Sequence, residues 1–451
     1  MRCREPSLVV FVSALAACAS AVPPEYAAQL ARLEAPTGAT PEPMTEPGAT
    51  ASPDTVSFDP SAPLPLAAVT HEVLAKNPRL DAMRHTWRAM LAMAPQVSAM
   101  PDPTLEVGLA PLAIHTGRGQ RLSFRQTLPW PGSRGARAMA SLTEASAMEH
   151  DLLAMKRELV AMAHMSYWEL AAAPLLRALW HKHHALIETL RAATLGRIQA
   201  NKARPQDAVR AESELVMAEQ MLIEVDRMER VAMARLNTAM RREPDAPLGI
   251  ASLPDALPPS PPPLAELTAT RAELDAALVR IKARESQVVA VEKMNRPMLG
   301  WGVELSTMGD DWMMWPMLMV MVELPLASER RDAMLDEAKA NVRVAKSTAE
   351  ALESELRGEV AERRAELALA LARHDNFSRL LVPTLERRLS LLIASYGAGQ
   401  DDFDAVMMAA TALNDARVGE LEARVRAFVA ATGLELALGR LVRKEGEAEQ
   451  P

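Results

Sequence analysis

Two stretches of the chain govern how the rest is read: RQTLPWPGSRG, Arg125–Gly135, and VELPLASERR, Val322–Arg331. In each, a run that alternates apolar and polar residues stops at Leu-Pro, and a long charged run with almost no glycine begins. Proline fixes φ near the helical value and donates no ladder hydrogen bond, so it ends a strand and suits the start of a helix. Pro129 and Pro131 flank Trp130 in the first corner, while the second keeps only Pro325. Both stretches are therefore β-to-α joints, and the first is the stiffer. In a strand that crossed a membrane, Trp130 would fall at the interface, a depth that suits an indole ring.

The alternation upstream of each corner is specific. Leu105, Val107 and Leu109 share one face against Thr104, Glu106 and Gly108; after a turn near HTGRGQ, Leu122 and Phe124 alternate with Arg121, Ser123 and Arg125. Leu299, Trp301, Val303 and Leu305 repeat the pattern against Gly300, Gly302 and Glu304, turning at MGDD. Period two on both sides of a glycine-containing turn predicts a hairpin, here over 103–129 and again over 297–325. The ten residues MMWPMLMVMV, Met313–Val322, are too short for a spanning helix and long enough for a tilted membrane strand. Their two faces are both apolar, unlike a strand lined by water.

Laying the halves over each other pairs Leu80 with Leu274, Pro103 with Pro297 and Gly108 with Gly302 at an offset of 194, then Leu128-Pro129 with Leu324-Pro325 at 196. The chain reads as an internal repeat with two extra residues in the second copy. After each corner comes a helical hairpin, 136–241 and 331–438. At about 1.5 Å per residue, roughly 60 residues of outgoing helix span about 90 Å. Pro174 and Pro383 fall inside these helices and predict kinks. In the last helix Val406, Ala410, Leu413, Leu421, Val425 and Phe428 keep the 3 and 4 spacing of a coiled-coil seam. The hairpin tips are IQANKARPQDAV, Ile198–Val209, and YGAGQDDFDAV, Tyr396–Val406. Gly399 and Asn201 tolerate the left-handed conformation that ends a helix. Asp207 and Asp404 suit the positive end of the returning helices.

The amino terminus predicts a compartment. Arg2 and Arg4 precede the apolar run SLVVFVSALAA, and LAAC, Leu15–Cys18, follows. This is a secretory signal over 1–17 with a lipobox, leaving Cys18 as a lipidated first residue. Of two cysteines Cys3 leaves with the signal, so no internal disulfide forms. Residues 18–65, with ten prolines in the 45 positions from 21, read as an extended tether. The first repeat then occupies 66–243, a linker with eight prolines in its 20 residues occupies 244–263, and the second repeat occupies 264–440, with a tail over 441–451. A net charge of -8 with no long basic stripe gives no support to nucleic-acid binding. Aromatics at 4% fit long packed helices rather than a sandwich.

The lipobox, NPRLDAMR, PDPTLEVGL, TLPWPGSRG, the Y-x-A-G…D tip and the duplication of the whole plan together resemble the TolC-like outer membrane factors, in particular the lipidated branch of multidrug and metal efflux systems. The likeness covers nearly all of 66–440. It implies an α+β membrane protein: a long α-helical coiled-coil barrel plus a four-stranded contribution to a trimeric, twelve-stranded β-barrel. It also implies a homotrimer in outer-membrane lipid, working with a periplasmic adaptor and an inner-membrane pump of the resistance-nodulation-division (RND) type. The tips would then be the periplasmic end, where the adaptor docks and the channel narrows. Asp404, beside Asp401 and Asp402, matches an aspartate that lines the aperture, where a carboxylate ring favours cations; Asp404 as a plain helix cap is the competing reading. Met407 stands where the family often has a second acidic residue.

Two further groups attract attention. Met317, Met319 and Met321 share one face of the fourth strand, and by the 196 offset they correspond to Arg121, Ser123 and Arg125. Thioethers suit monovalent copper, although methionine also serves as ordinary packing. WHKHH holds His181, His183 and His184, which as zinc ligands lack an acidic third partner at matching spacing and read as a polar helix surface. No cofactor is implied. No catalytic triad or glycine-rich phosphate loop is present, so the chain is not read as an enzyme. A lipidated periplasmic adaptor of the membrane-fusion type would place one helical hairpin between β-rich segments. A metal-binding or hydrolytic lipoprotein would leave the duplication unexplained. An exit duct accounts for lipobox, hairpins, repeat and tips together.

Overall fold

The computed structural model describes residues 22–34, 58–110, 119–267, 269–307 and 314–442. Cys18, the turns at HTGRGQ and MGDD and most of the tether lie outside them. In order the elements are helices α1 (Glu25–Glu34), α2 (Leu66–Lys76) and α3 (Pro78–Ser98), strands β1 (Thr104–Ala110) and β2 (Gly119–Leu128), then α4 (Ser133–Gln199) and α5 (Pro205–Ala239). Helix α6 (Ala272–Met294), strands β3 (Met298–Thr307) and β4 (Met314–Glu323), α7 (Ser328–Asn376), α8 (Val382–Ala398) and α9 (Phe403–Leu438) follow. The protein is mostly helical with one four-stranded antiparallel sheet. It forms two compact units, the first Met1–Ala35, Ala82–Leu152 and Ala272–Glu353, the second Pro36–Asp81, Leu153–Arg271 and Ser354–Pro451.

The first unit holds the sheet, in the order β1-β2-β3-β4. Registers such as Leu105↔Phe124, Phe124↔Val303 and Val303↔Leu318 keep one set of apolar residues on one face across all four strands. That face is bare: Leu105 is 65% exposed, Val107 64%, Leu318 74% and Val320 75%. The opposite face carries Glu106, Arg121, Arg125 and Glu304, with Met317, Met319 and Met321 on β4. Salt bridges tie α6 to α4 in this unit: Arg280 to Asp151, and Arg284 to Glu144 at 3.5 Å.

The tether expectation needs correcting here. Glu25–Glu34 is a helix, because no proline falls between Pro24 and Pro36 and these ten residues are mostly helix formers. Its end is pinned by Arg32 to Glu149 at 2.8 Å and by Arg88 to Glu34 at 2.9 Å.

In the second unit α9 is the most deeply packed helix. Phe403, Val406, Met407, Ala410 and Leu413 are buried against Ile187 and Leu190 of α4, Ala211 of α5, and Leu389 and Tyr396 of α8. Farther along, Leu421 and Phe428 continue the buried seam, and Trp168 stacks 5.0 Å from Phe428 while its indole donates to Thr432. Helix α5 faces this core with Ala211, Ala218, Val225 and Ala232, seven residues apart.

The two helix-internal prolines behave differently. Helix α4 continues through Pro174. Before Pro383 the chain makes a π-turn over Phe377–Leu381, and α8 starts at Val382 with the proline in its first turn. The missing proline N–H and its ring clash with the preceding turn account for the local widening there.

Candidate functional site

The two helical tips are built alike. At the first, Asn201 takes φ 56°, its N–H reaches Ile198 O at 2.9 Å and the Lys202 N–H reaches Arg197 O at 2.8 Å. At the second, Gly399 takes φ 80°, with Gly399 N–H to Tyr396 O and Gln400 N–H to Ser395 O, each 3.0 Å. Both close as a left-handed cap whose backbone bonds satisfy the last helical carbonyls. Only a residue tolerant of positive φ fits, which explains glycine at one tip and asparagine at the other.

The carboxylates have separate roles. Asp207 is buried and accepts the Arg204 N–H at 3.1 Å, with Pro205 opening the helix, so it closes a local cap rather than facing solvent. Asp402 is the N-cap residue of α9 and makes no side-chain cap bond. Asp404, in the first turn, is exposed and its Oδ1 lies 3.5 Å from Nε of Arg210 on α5. Asp401, Asp402 and Asp404 thus stand in water, with Arg210 opposing one of them.

Sequence reading missed what holds the tips together. Arg197 donates to Tyr396 O and its guanidinium lies 4.2 Å over the Tyr396 ring. Thr194 Oγ1 meets the Tyr396 hydroxyl at 3.3 Å, and Phe403 packs 5.6 Å from the same ring. These partners come from three helices, and no spacing along the chain announces them.

At the corners, β2 ends at Leu128, and Pro129, Trp130, Pro131 and Gly132 lead to α4 at Ser133. Gly132 takes φ 78° and the Ser133 N–H returns to Trp130 O at 3.0 Å. The second corner, Leu324 to Ala327 around Pro325, has no left-handed residue. Trp130 is 38% exposed.

The histidine cluster is not the uniformly polar surface expected from sequence. His183 is buried, with Nε2 3.2 Å from Glu214 Oε1, and Thr411 donates to that same oxygen at 3.1 Å. His183 turns inward because it lies on the side of α4 that faces α5 and α9, whereas His181 is exposed and His184 lies 3.8 Å from Glu219. Burial pushes the nearby Asp415 carboxyl up. Among the described residues no group of three or more His, Cys, Asp or Glu could hold a metal ion. No described helix is long and apolar enough to cross a membrane.

No family model matches the chain and no curated protein matches it in sequence. Solved structures do. The outer-membrane channel OprN superposes with a TM-score of 0.71 at 18% identity, over 83% of this chain and 89% of that one. The outer membrane protein VceC from Vibrio cholerae gives 0.70 at 18%, over 83% and 96%. The open state of the Neisseria gonorrhoeae MtrE outer membrane channel gives 0.68 at 16%, over 87% and 95%. At such identities the likeness is one of fold, and the chain has the fold of these outer-membrane channels.

Proposed function

We propose that the chain is the exit duct of a tripartite efflux system, a passive channel that carries cargo from an inner-membrane pump and periplasmic adaptor through the outer membrane. The observation that carries this reading is the sheet of the first unit. Its apolar face is open, and β1 and β4 are edges with no partner among the described residues. Four strands cannot close alone, and an open edge in hydrocarbon leaves backbone groups unsatisfied at several kcal/mol each. Strands pooled from three copies would form a closed twelve-stranded barrel, its bare face against lipid and its charged face toward water.

The rest of the chain fits this reading. The halves act as two copies of one plan, each contributing one strand pair and one helical hairpin. The tips around Asn201, Asp207, Gly399, Asp401, Asp402 and Asp404 form the periplasmic end, where an adaptor of an RND-type pump docks. Cys18 carries the lipid that ties the chain to the outer membrane. An adaptor reading would need β-rich flanks, whereas the strands here form a single four-stranded sheet.

Fractionation of a producing cell is the direct test. The expected product is an outer-membrane trimer that withstands detergent until heated. A monomer released with the inner membrane would remove the proposal.

A further inference from the structure

The side of the sheet opposite the bare apolar face is not uniform. On β1 and β2 the charges answer one another: Glu106 bridges Arg121 at 3.1 Å and Arg125 at 2.6 Å. Across β3 and β4 the composition changes. Trp315, Met317, Met319 and Met321 follow one another on that face, opposite Ser306, Glu304, Gly302 and Gly300. The glycines are seats for the thioethers. A Cβ added at Gly300 would lie 3.0 Å from Met321 Cε, and one at Gly302 would lie 3.4 Å from Met319 Cε, with Arg125 Cγ at 3.2 Å on the other side. Met319 and Met321 therefore lie sideways over β3 and leave a flat strip, while Trp315 and Met317 remain 58% and 52% exposed.

Two carboxylates border this strip, Glu304 beside Met317 and Glu323 at its end. Neither has an ion-pair partner among the described residues, in contrast to Glu106. A surface that pairs exposed thioether and indole groups with carboxylates outside any ion pair complements one ligand chemistry: an apolar body carrying positive charge. The aromatic face and polarizable sulfur favour such a cation over a neutral molecule of the same shape.

We propose that β4, with Gly300, Gly302 and Glu304 of β3, forms a contact lane for lipophilic organic cations inside the pore. The inference rests on the barrel reading, which places this face in the lumen. A soft-metal site on the same methionines is the competing occupant. The sideways seating of Met319 and Met321 over the glycines speaks for a surface rather than a chelate, because each methyl is directed to its own seat.

The test uses the full-length protein in planar bilayers, with tetraphenylphosphonium and tetraphenylborate as probes of equal shape and opposite charge. The cation should block current at a concentration well below that of the anion. Glu304→Gln with Glu323→Gln should raise the blocking concentration of the cation about fivefold, the size expected for charges acting through water. Replacing Met317, Met319 and Met321 by leucine should leave it within about twofold, because the strip stays apolar, while replacing them by serine should raise it roughly tenfold.

Equal block by both probes, or a cation block indifferent to the two glutamates, would overturn the lane while the conducting pore still upheld the barrel. Block by silver ion that the leucine variant abolishes, with the phosphonium block unaffected by any variant, would replace the lane with a thioether metal site. Failure of the wild-type protein to conduct at all would sink the barrel reading itself.

Discussion

His164 shows how a single residue couples this protein to pH. Its Nε2 lies 2.7 Å from Thr70 Oγ1, and that hydroxyl points to Leu66 O at 3.0 Å, so the ring nitrogen is the donor. The remaining nitrogen has no counter-charge, and desolvation lowers the imidazole pKa to about 4. Between about pH 4 and 6.5 the unfolded chain therefore binds the proton that the native state refuses. The contribution to stability is complete above pH 6.5, falls as pH drops, and is gone near pH 4. A shift of this size corresponds to at most about 3.4 kcal/mol, and the intermediate burial of His164 reduces it. The apparent unfolding temperature of the wild type should fall more steeply from pH 7 to pH 4.5 than that of His164→Gln. Parallel curves would show that the ring titrates as freely in the native state as in the unfolded one.

Among the elements, the two corners separate proline stiffness from position. Pro129 and Pro131 bracket Trp130, and Gly132 at φ 78° receives Lys293 Nζ on its carbonyl at 3.4 Å. Around Pro325 the turn is held by the Ser328 N–H to Leu326 O at 2.9 Å. Proline in a compatible conformation stabilises by about 0.4–1 kcal/mol, mainly by restricting the unfolded chain. Changing Pro129 and Pro131 together to alanine should therefore lower trimer yield more than changing Pro325, and equal losses in a heat-modifiability assay would refute that ranking. These joints were legible in sequence because each depends on residues within a few positions: proline at a change of period, glycine or asparagine at a left-handed cap. What stayed hidden was settled between distant helices. Arg197 looks like any surface arginine until Tyr396 arrives from another hairpin, and His183 reads as polar until α5 brings Glu214 to it. The seating of Phe377 is of the same kind, since its ring fills the slot left by Gly419, where a Cβ would come within 2.8 Å of it.

At the scale of the whole molecule, the question is what the isolated chain leaves unfinished. Helix α5 carries two heptad seams almost opposite each other. Ala211, Ala218, Val225 and Ala232 are buried in the chain's own core, whereas Val209, Val216 and Ile223 are 62%, 60% and 62% exposed. A second bare line runs through Leu369, Leu380 and Leu391 at 57%, 64% and 70%. A seven-residue apolar repeat specifies a helical partner, and none of the described residues covers Val209, Val216 and Ile223. In the ring of three copies proposed above, these lines would be the surfaces left to meet a neighbour. Covering each Val or Ile contributes about 1.5–3 kcal/mol, and three interfaces multiply the effect. Val216→Glu combined with Ile223→Glu should accordingly abolish the trimer while far-ultraviolet dichroism keeps its helical content. Glu219→Ala, a change between those two positions on the same helix that removes charge instead of adding it, should leave assembly intact. If the double variant still assembled, the seam would be serving some surface other than the contact between copies, and closure would rest on the strand edges alone.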